Sequence, residues 1–246
     1  MNALSSSAPL SPQELEALRH FSTPTLANAI EVFGVRPRNQ GFMGSEIKAI
    51  FPEMGAMIGY ACTGRIVANQ PPDRGLPPVP EDAYWDAVLT VPSPRVAVIQ
   101  ELDSQPVGSL WGEVNANIHR ALGCVGAVTN GGVRDLAEVK ALGFHFFATA
   151  VLVSHAYVRY VDYGRPVQVG GLTVQPGDLI CADQHGVLLV PLEIASALPQ
   201  VAREIEARER ELIVWCQSDA FTPQGLRAVR DDVRRRWPKP PKLDTT

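Results

Sequence analysis

Cys124-Val125-Gly126-Ala127-Val128-Thr129-Asn130-Gly131-Gly132-Val133-Arg134-Asp135-Leu136-Ala137-Glu138 is the stretch that decides the fold. Its first six residues are apolar or small without alternation, as in a strand buried on both faces. Asn130-Gly131-Gly132 is a turn signal. Beyond it Leu136, Val139 and Leu142 recur at helical spacing until Gly143 stops the run. On the N-terminal side, Val114 to Leu122 has helical composition behind Trp111-Gly112-Glu113, with Gly123 as its stop. On the C-terminal side, Phe144 to Val153 is a further apolar run. Helix, strand, turn, helix, strand is an α/β alternation, so part of the sheet is expected to be parallel and covered by helices.

Farther out, Ser11, Pro12 and Glu14 predict a capping box and a helix to about Phe21. Ser22 or Thr23 before Pro24 starts a second helix that Gly34 ends. Strands are expected over Ile58 to Val67 and Val96 to Ile99, with a Pro- and Gly-rich loop from Gln70 to Pro80 between them. Pro166 to Val174 reads as two short strands around Gly170-Gly171. Leu179 to Ala182 and Val187 to Val190 read as a hairpin about Asp183-Gln184-His185-Gly186. A long charged helix over about 194–215 carries the narrow apolar stripe Leu198, Val201, Ile205 and Leu212, and a loose tail follows from Pro238. The chain reads as one α/β domain over 1–246, with a helical segment at about 11–34 and a mixed-sheet core at about 55–192.

Bulk properties remove several classes. Hydrophobic residues make up 46% and charged residues 20% of the 246, the balance of a folded globular chain. Net charge is −4 and the dense basic cluster is confined to Arg227–Lys242, so no broad basic face is offered to nucleic acid. Cys62, Cys124, Cys181 and Cys216 lack C-x-x-C spacing and read as small core residues, not a zinc site or a disulfide framework. The first residues show neither a basic n-region nor an apolar run, and no segment has the roughly 18 consecutive apolar residues of a membrane span. A cytoplasmic protein with no membrane partner is the expectation.

The chemistry gathers at Arg134-Asp135. Asp135 with Glu138 alone reads as an N-cap and N3 pair of the capping-box kind. Capping does not account for an arginine directly before the cap, on a turn whose paired glycines admit close approach of a ligand at the carboxyl end of a strand. A hard divalent cation such as Mg²⁺ is commonly bound through one or two carboxylates, with water and substrate completing its shell. Chelation of a 2-oxo acid on such a cation, with a guanidinium alongside, would provide the electron sink that C3–C4 cleavage needs.

Trp111-Gly112-Glu113, Gly123-x-x-Gly126, Asn130-Gly131-Gly132-Val133-Arg134-Asp135-x-x-Glu138, Gly170-Gly171-x-x-Val174-x-Pro176-Gly177-Asp178 and Ala182-Asp183-x-x-Gly186-Val187 together resemble the 4-hydroxy-4-methyl-2-oxoglutarate aldolase family, which is related to the proteins named regulator of ribonuclease activity A. The resemblance spans roughly Val96 to Leu212. It implies a class II pyruvate aldolase, often also an oxaloacetate decarboxylase. The implied fold is a swivelling-type β/β/α core of mixed sheet with flanking helices and a long C-terminal helix, assembled as a trimer or hexamer. Carried over, Asp135 ligates Mg²⁺ or Mn²⁺, Arg134 binds the pyruvyl oxygen and the developing enolate, and Glu113 orients metal-bound water. Backbone N–H groups near Gly112, Glu113 and Val114, where a helix begins, would receive the substrate carboxylate. Glu209 of a neighbouring subunit, with Glu206 as its competitor, would reach the site through water. The alternative reading is a non-catalytic binding protein like the ribonuclease regulators. Two departures bear on substrate choice: Asn28 stands where the family commonly has an aspartate, and the Gln70–Pro80 loop, with Asp73 and Arg74, is longer and richer in proline. His119, His145, His155 and His185 have no mutual metal-ligand spacing and read as structural or surface residues.

Overall fold

A computed structural model describes residues 9–72 and 79–241 of the chain. In chain order the helices are α1 (Pro12–Arg19), α2 (Thr23–Phe33), α3 (Glu81–Leu89), α4 (Glu113–Ala121), α5 (Leu136–Leu142), α6 (Leu198–Cys216) and α7 (Pro223–Arg235). The strands are β1 (Lys48–Ala49), β2 (Met57–Val67), β3 (Arg95–Glu101), β4 (Cys124–Thr129), β5 (Gly132–Val133), β6 (His145–Ala148), β7 (Ala150–Val151), β8 (Arg159–Tyr163), β9 (Val167–Val169), β10 (Leu172–Val174), β11 (Leu179–Asp183) and β12 (Gly186–Val190). None of the described helices is long and apolar enough to cross a membrane.

Local chemistry accounts for most of these boundaries. The Ser11 N–H donates to Glu14 Oε2 at 2.8 Å and the Glu14 N–H to Ser11 Oγ at 3.3 Å, the reciprocal bonds that start α1. Ser22 caps α2, which ends at Gly34 in the left-handed region (φ 66°). The Gly170-Gly171 turn, with φ of 53° and 73°, joins β9 to β10 as expected.

The main sheet runs β1-β6-β4-β3-β2-β11-β12, with β8 on the second half of β2. β2, β3, β4 and β6 are parallel, joined by crossovers that contain α3, α4 and α5, while β1, β8, β11 and β12 join antiparallel. The expected mixed sheet is therefore present. Both faces are buried, which is why the strands carry no polar alternation. Ala97 and Ile99 of β3 face the helices with Tyr60, Cys62, Ala127 and Phe146. Val96 and Val98 face Met43, Ile47 and the β9–β10 hairpin on the other side. Helices on one face and a small β layer on the other make the β/β/α stack.

Several expectations needed correction. The run Phe144 to Val153 is two strands: at Thr149 the N–H turns to the Gly131 carbonyl at 3.2 Å, so β7 leaves the main sheet and pairs with β5. The long helix begins at Leu198, after a 3-10 turn at Leu192–Ile194. Between the long helix and Pro238, where no helix was expected, lies α7, capped by Thr222, with an Arg236–Glu211 ion pair at 2.7 Å to α6 and Trp215 of α6 against Phe221 just before it; the described residues from Pro238 on have no regular structure. α3 and β8 were not foreseen, because each shows the core only two or three side chains among polar neighbours. Cys62, Cys124 and Cys181 are buried as expected, but Cys216 is exposed. Of the Gln70–Pro80 loop, residues 73–78, with Asp73 and Arg74, lie outside the described residues; its ends have no regular structure.

Candidate functional site

Parallel pairing of β3 with β4 sets the segment after β3 beside the turn after β4, at the carboxyl ends of both strands. The turn is held from several sides. Asn130 brackets the end of β3, accepting the Glu101 N–H at 2.8 Å and donating Nδ2 to the Glu101 carbonyl at 2.8 Å. The Gly131 N–H donates to Thr129 Oγ1 at 2.9 Å, and the Thr149 hydroxyl lies 2.9 Å from the Asn130 and Gly131 carbonyls. Ser109, buried, places its hydroxyl 2.8 Å from the Gly132 carbonyl and 2.7 Å from that of Trp111. Trp111 pairs with Val133, and the Arg134 N–H donates to the Trp111 carbonyl at 2.9 Å. The start of α4 is thereby laid against Arg134 and Asp135.

Asp135 takes the left-handed conformation, φ 55° and ψ 47°, which costs a non-glycine residue about 1–2 kcal/mol. It stands at the N-cap position of α5 but makes no side-chain cap bond there. Its Oδ2 instead accepts the Glu113 N–H at 2.9 Å and lies 3.8 Å from Arg134 Nε. This overturns the capping-box reading of Asp135 with Glu138: the backbone conformation carries the carboxylate across to the first turn of α4. Asp135 Oδ1 makes no hydrogen bond among the described residues, and the Arg134 and Asp135 side chains are each 36% exposed. Gly112 is the cradle floor, since a Cβ there would overlap Asp135 Oδ2 and press on Arg134.

The structure thus brings together Gly112, Glu113, Arg134 and Asp135. Glu113 contributes its backbone N–H to this cluster, while its side chain and Val114 are exposed at the rim. Ala116 makes the first bond within α4, to the Gly112 carbonyl at 2.9 Å, so the Val114 and Asn115 N–H groups precede it as donors with no partner among the described residues. Glu206 and Glu209 lie on α6, which packs chiefly on α1, α2 and α7; among the described residues neither glutamate is bonded to this cluster. Asn28 is exposed on α2.

Two supporting residues lie beneath the cluster: Asn115, which sequence reading missed, and His119, which it read as structural or surface. Asn115 Nδ2 donates to the Leu110 carbonyl at 2.6 Å. His119, fully buried, packs its ring 4.6 Å from that of Trp111 and bonds through Nδ1 to the Asn115 carbonyl at 2.7 Å. A carbonyl only accepts, so Nδ1 carries the proton. Burial outweighs that bond and pushes the imidazole down to about 4, so it stays neutral. Only the four-residue spacing of Asn115 and His119 on one helix face hinted at this pairing.

Asp183 has a different task. It accepts the Thr23 N–H at 2.8 Å, the Thr23 hydroxyl at 2.7 Å and the His185 N–H at 2.9 Å, tying the β11–β12 hairpin to the start of α2. Burial raises its carboxyl, but these bonds outweigh burial and hold it below the ordinary value. His185 is the turn residue its position suggested.

Among the described residues no group of three or more His, Cys, Asp or Glu side chains gathers as a metal cage. One open carboxylate oxygen beside a solvent-accessible cradle suits a hard cation that keeps most of its water, and does not suit a closed zinc-type site.

The comparisons agree with this architecture. A model of the RraA-like family, described as Aldolase/RraA, matches residues 23–189. An uncharacterized protein of Methanocaldococcus jannaschii is 25% identical over 213 residues, 80% of this chain and 86% of that one. A Halalkalibacterium halodurans protein named "Putative 4-hydroxy-4-methyl-2-oxoglutarate aldolase" is 27% identical over 125 residues, 49% of this chain and 60% of its own length. Among solved structures, an uncharacterized protein from Pseudomonas syringae pv. tomato superposes with a TM-score of 0.71 at 23% identity, covering 94% of this chain and 99% of that one, a likeness of fold. With the match extending from α2 to β12 and enclosing the Gly112–Asp135 cluster, the chain belongs to the RraA-like family of aldolases and RraA proteins.

Proposed function

We propose that this protein is a divalent-metal-dependent lyase of small 2-oxo acids, releasing pyruvate from 4-hydroxy-2-oxo acids, from oxaloacetate by decarboxylation, or from both. The observation that carries the reading is the Asp135 carboxylate, turned from its own helix toward the start of α4 with one oxygen open and Arg134 beside it. Asp135 would hold Mg²⁺ or Mn²⁺, and Glu113 would bond to a water of the cation's shell. When bound, the cation supplies Lewis-acid polarisation of the 2-oxo group.

The protein's own groups supply the rest. The open Val114 N–H and its neighbour at the N-terminus of α4 would receive the substrate carboxylate. The Arg134 guanidinium meets the negative charge that develops on the substrate's 2-oxo oxygen as the C3–C4 bond breaks, and does so from a fixed position. Gly112 leaves the space for this approach.

Assembly as a homotrimer or homohexamer belongs to the same proposal. Val114 at 71% exposure and Val151 at 56% flank the cluster as an apolar rim that a neighbouring subunit would cover. Glu209, or Glu206, would reach the site only from such a neighbour.

The test is pyruvate release from oxaloacetate and from 4-hydroxy-4-methyl-2-oxoglutarate, with and without EDTA. Release that EDTA abolishes and Mg²⁺ or Mn²⁺ restores supports the lyase. Silence across a panel of 2-oxo acids, with or without metal, sinks it in favour of a non-catalytic regulatory protein.

A further inference from the structure

One buried acid has no part in the chemistry above. Glu101 ends β3 at 2% exposure, with both of its backbone groups clamped by Asn130. Neither carboxyl oxygen has a well-formed hydrogen bond among the described residues, and only the Val107 N–H lies close enough to favour the charged form. A Cβ on Gly131 would overlap Glu101 Oε2, so the carboxyl lies directly against the backbone of the turn.

Among the described residues, the groups packed around it offer no counter-charge. From the turn come Thr129, Asn130 and the Gly131 backbone, and from the segment after β3 comes Val107. The charged neighbour acting on it is Asp103, whose carboxylate is engaged by the Ala68 and Asn69 N–H groups at 2.5 and 3.0 Å. Burial and then Asp103 push the Glu101 carboxyl up to about 7.

We infer that Glu101 is a positioning residue: as a neutral acid it packs against the Asn130–Gly131–Gly132 turn, and its ionisation loosens that turn and the placement of Arg134 and Asp135 beyond it. Only the two residues of β5 separate the turn from Arg134, and β5 is pinned to Trp111 and β7 but not to Glu101. A charge forming under Gly131 is relieved most readily by displacement of the turn, because the alternative is a buried carboxylate with the Val107 N–H as its one nearby donor among the described residues.

The first arm of the test needs neither metal nor activity. Thermal unfolding of the metal-free protein is followed from pH 4.5 to 8.5 for the wild type and Glu101→Gln. The folded-state value lies above the ordinary 4.5, so the native chain keeps a proton that the unfolded chain loses between about 4.5 and 7. Stability from the neutral acid is therefore lost as pH rises through that window, and the loss levels off above it. The Gln variant keeps the neutral shape, and its midpoint should gain several degrees on the wild type between pH 4.5 and 7.5. Parallel curves overturn the inference. Should the variant not fold, the ¹³C shift of the Glu101 carboxyl in the wild type decides the same point, and a midpoint near 4.5 overturns it.

The second arm, which rests on the metal reading of Asp135, compares Mn²⁺ titrations of both proteins at pH 6 and 8. Wild-type affinity should fall several-fold relative to Glu101→Gln as pH rises. An unchanged ratio breaks the connection between Glu101 and the site. If neither protein binds Mn²⁺ at either pH, the metal reading fails and the thermal comparison alone decides the role of Glu101.

Discussion

The carboxylate of Asp135 receives the Glu113 backbone N–H at 2.9 Å, so the residue that precedes α5 caps α4. One side chain thereby couples two helix starts: its Oδ2, over Gly112, takes the Glu113 N–H, and its Oδ1 makes no hydrogen bond among the described residues. That geometry yields predictions that separate charge, shape and fold.

Asp135→Asn keeps an acceptor for the Glu113 N–H and a residue type that tolerates the left-handed region. Its thermal midpoint should stay within a few degrees of wild type, while calorimetric Mn²⁺ affinity falls by more than about 100-fold, beyond the effect of losing a mere supporting partner of a ligand. Undiminished affinity would remove Asp135 from the cation. Asp135→Ala should in addition lose about 1 kcal/mol of capping, visible in denaturant unfolding.

Arg134→Lys should leave Mn²⁺ affinity intact and lower kcat for pyruvate release, since a point charge replaces a planar fork. Steady-state kinetics beside the same titration would separate the two effects. Full turnover in the lysine variant would show that Arg134 serves another purpose.

Gly112→Ala places a Cβ on Asp135 Oδ2 and against Arg134, and overpacking of this kind costs about 1–3 kcal/mol. Metal binding should be lost with the displaced carboxylate. Gly171→Ala is the control: at φ 73° it is strained but has open space around its Cβ, so it should lower stability and leave Mn²⁺ binding alone.

His119 sets an acid-side limit. Its value falls from 6.5 in the unfolded chain to about 4 in the fold, so below pH 6.5 the unfolded state takes up the proton first. Stability should drop as pH falls from 6.5 to 4, by about 3 kcal/mol in total at 1.36 kcal/mol per unit. Thermal midpoints of wild type and His119→Leu should therefore converge toward pH 4, and a constant gap between them would count against a neutral buried imidazole.

Much of the architecture was legible because it depends on neighbours in the chain. The Ser11–Glu14 box, the Gly34 stop, the Gly170-Gly171 turn and the unalternating run of Cys124–Thr129 each act within a few residues. α3 and β8 were illegible for the opposite reason, because each is held by what it packs on. Tyr84 of α3, for example, stacks 4.4 Å from Tyr160 of β8, a contact absent from the local pattern of either segment.

Of the candidate site, the sequence by itself determined the adjacent cation and carboxylate at a glycine turn, since residue type and local backbone freedom suffice for that. Which amide the Asp135 oxygen meets, and that Ser109, Asn130 and Thr149 hold the turn in place, was decided only by the tertiary structure. The Glu113–Asp135 bond joins residues 22 positions apart. Such a contact exists only once β3 and β4 have paired, because pairing supplies the alignment that no local preference encodes.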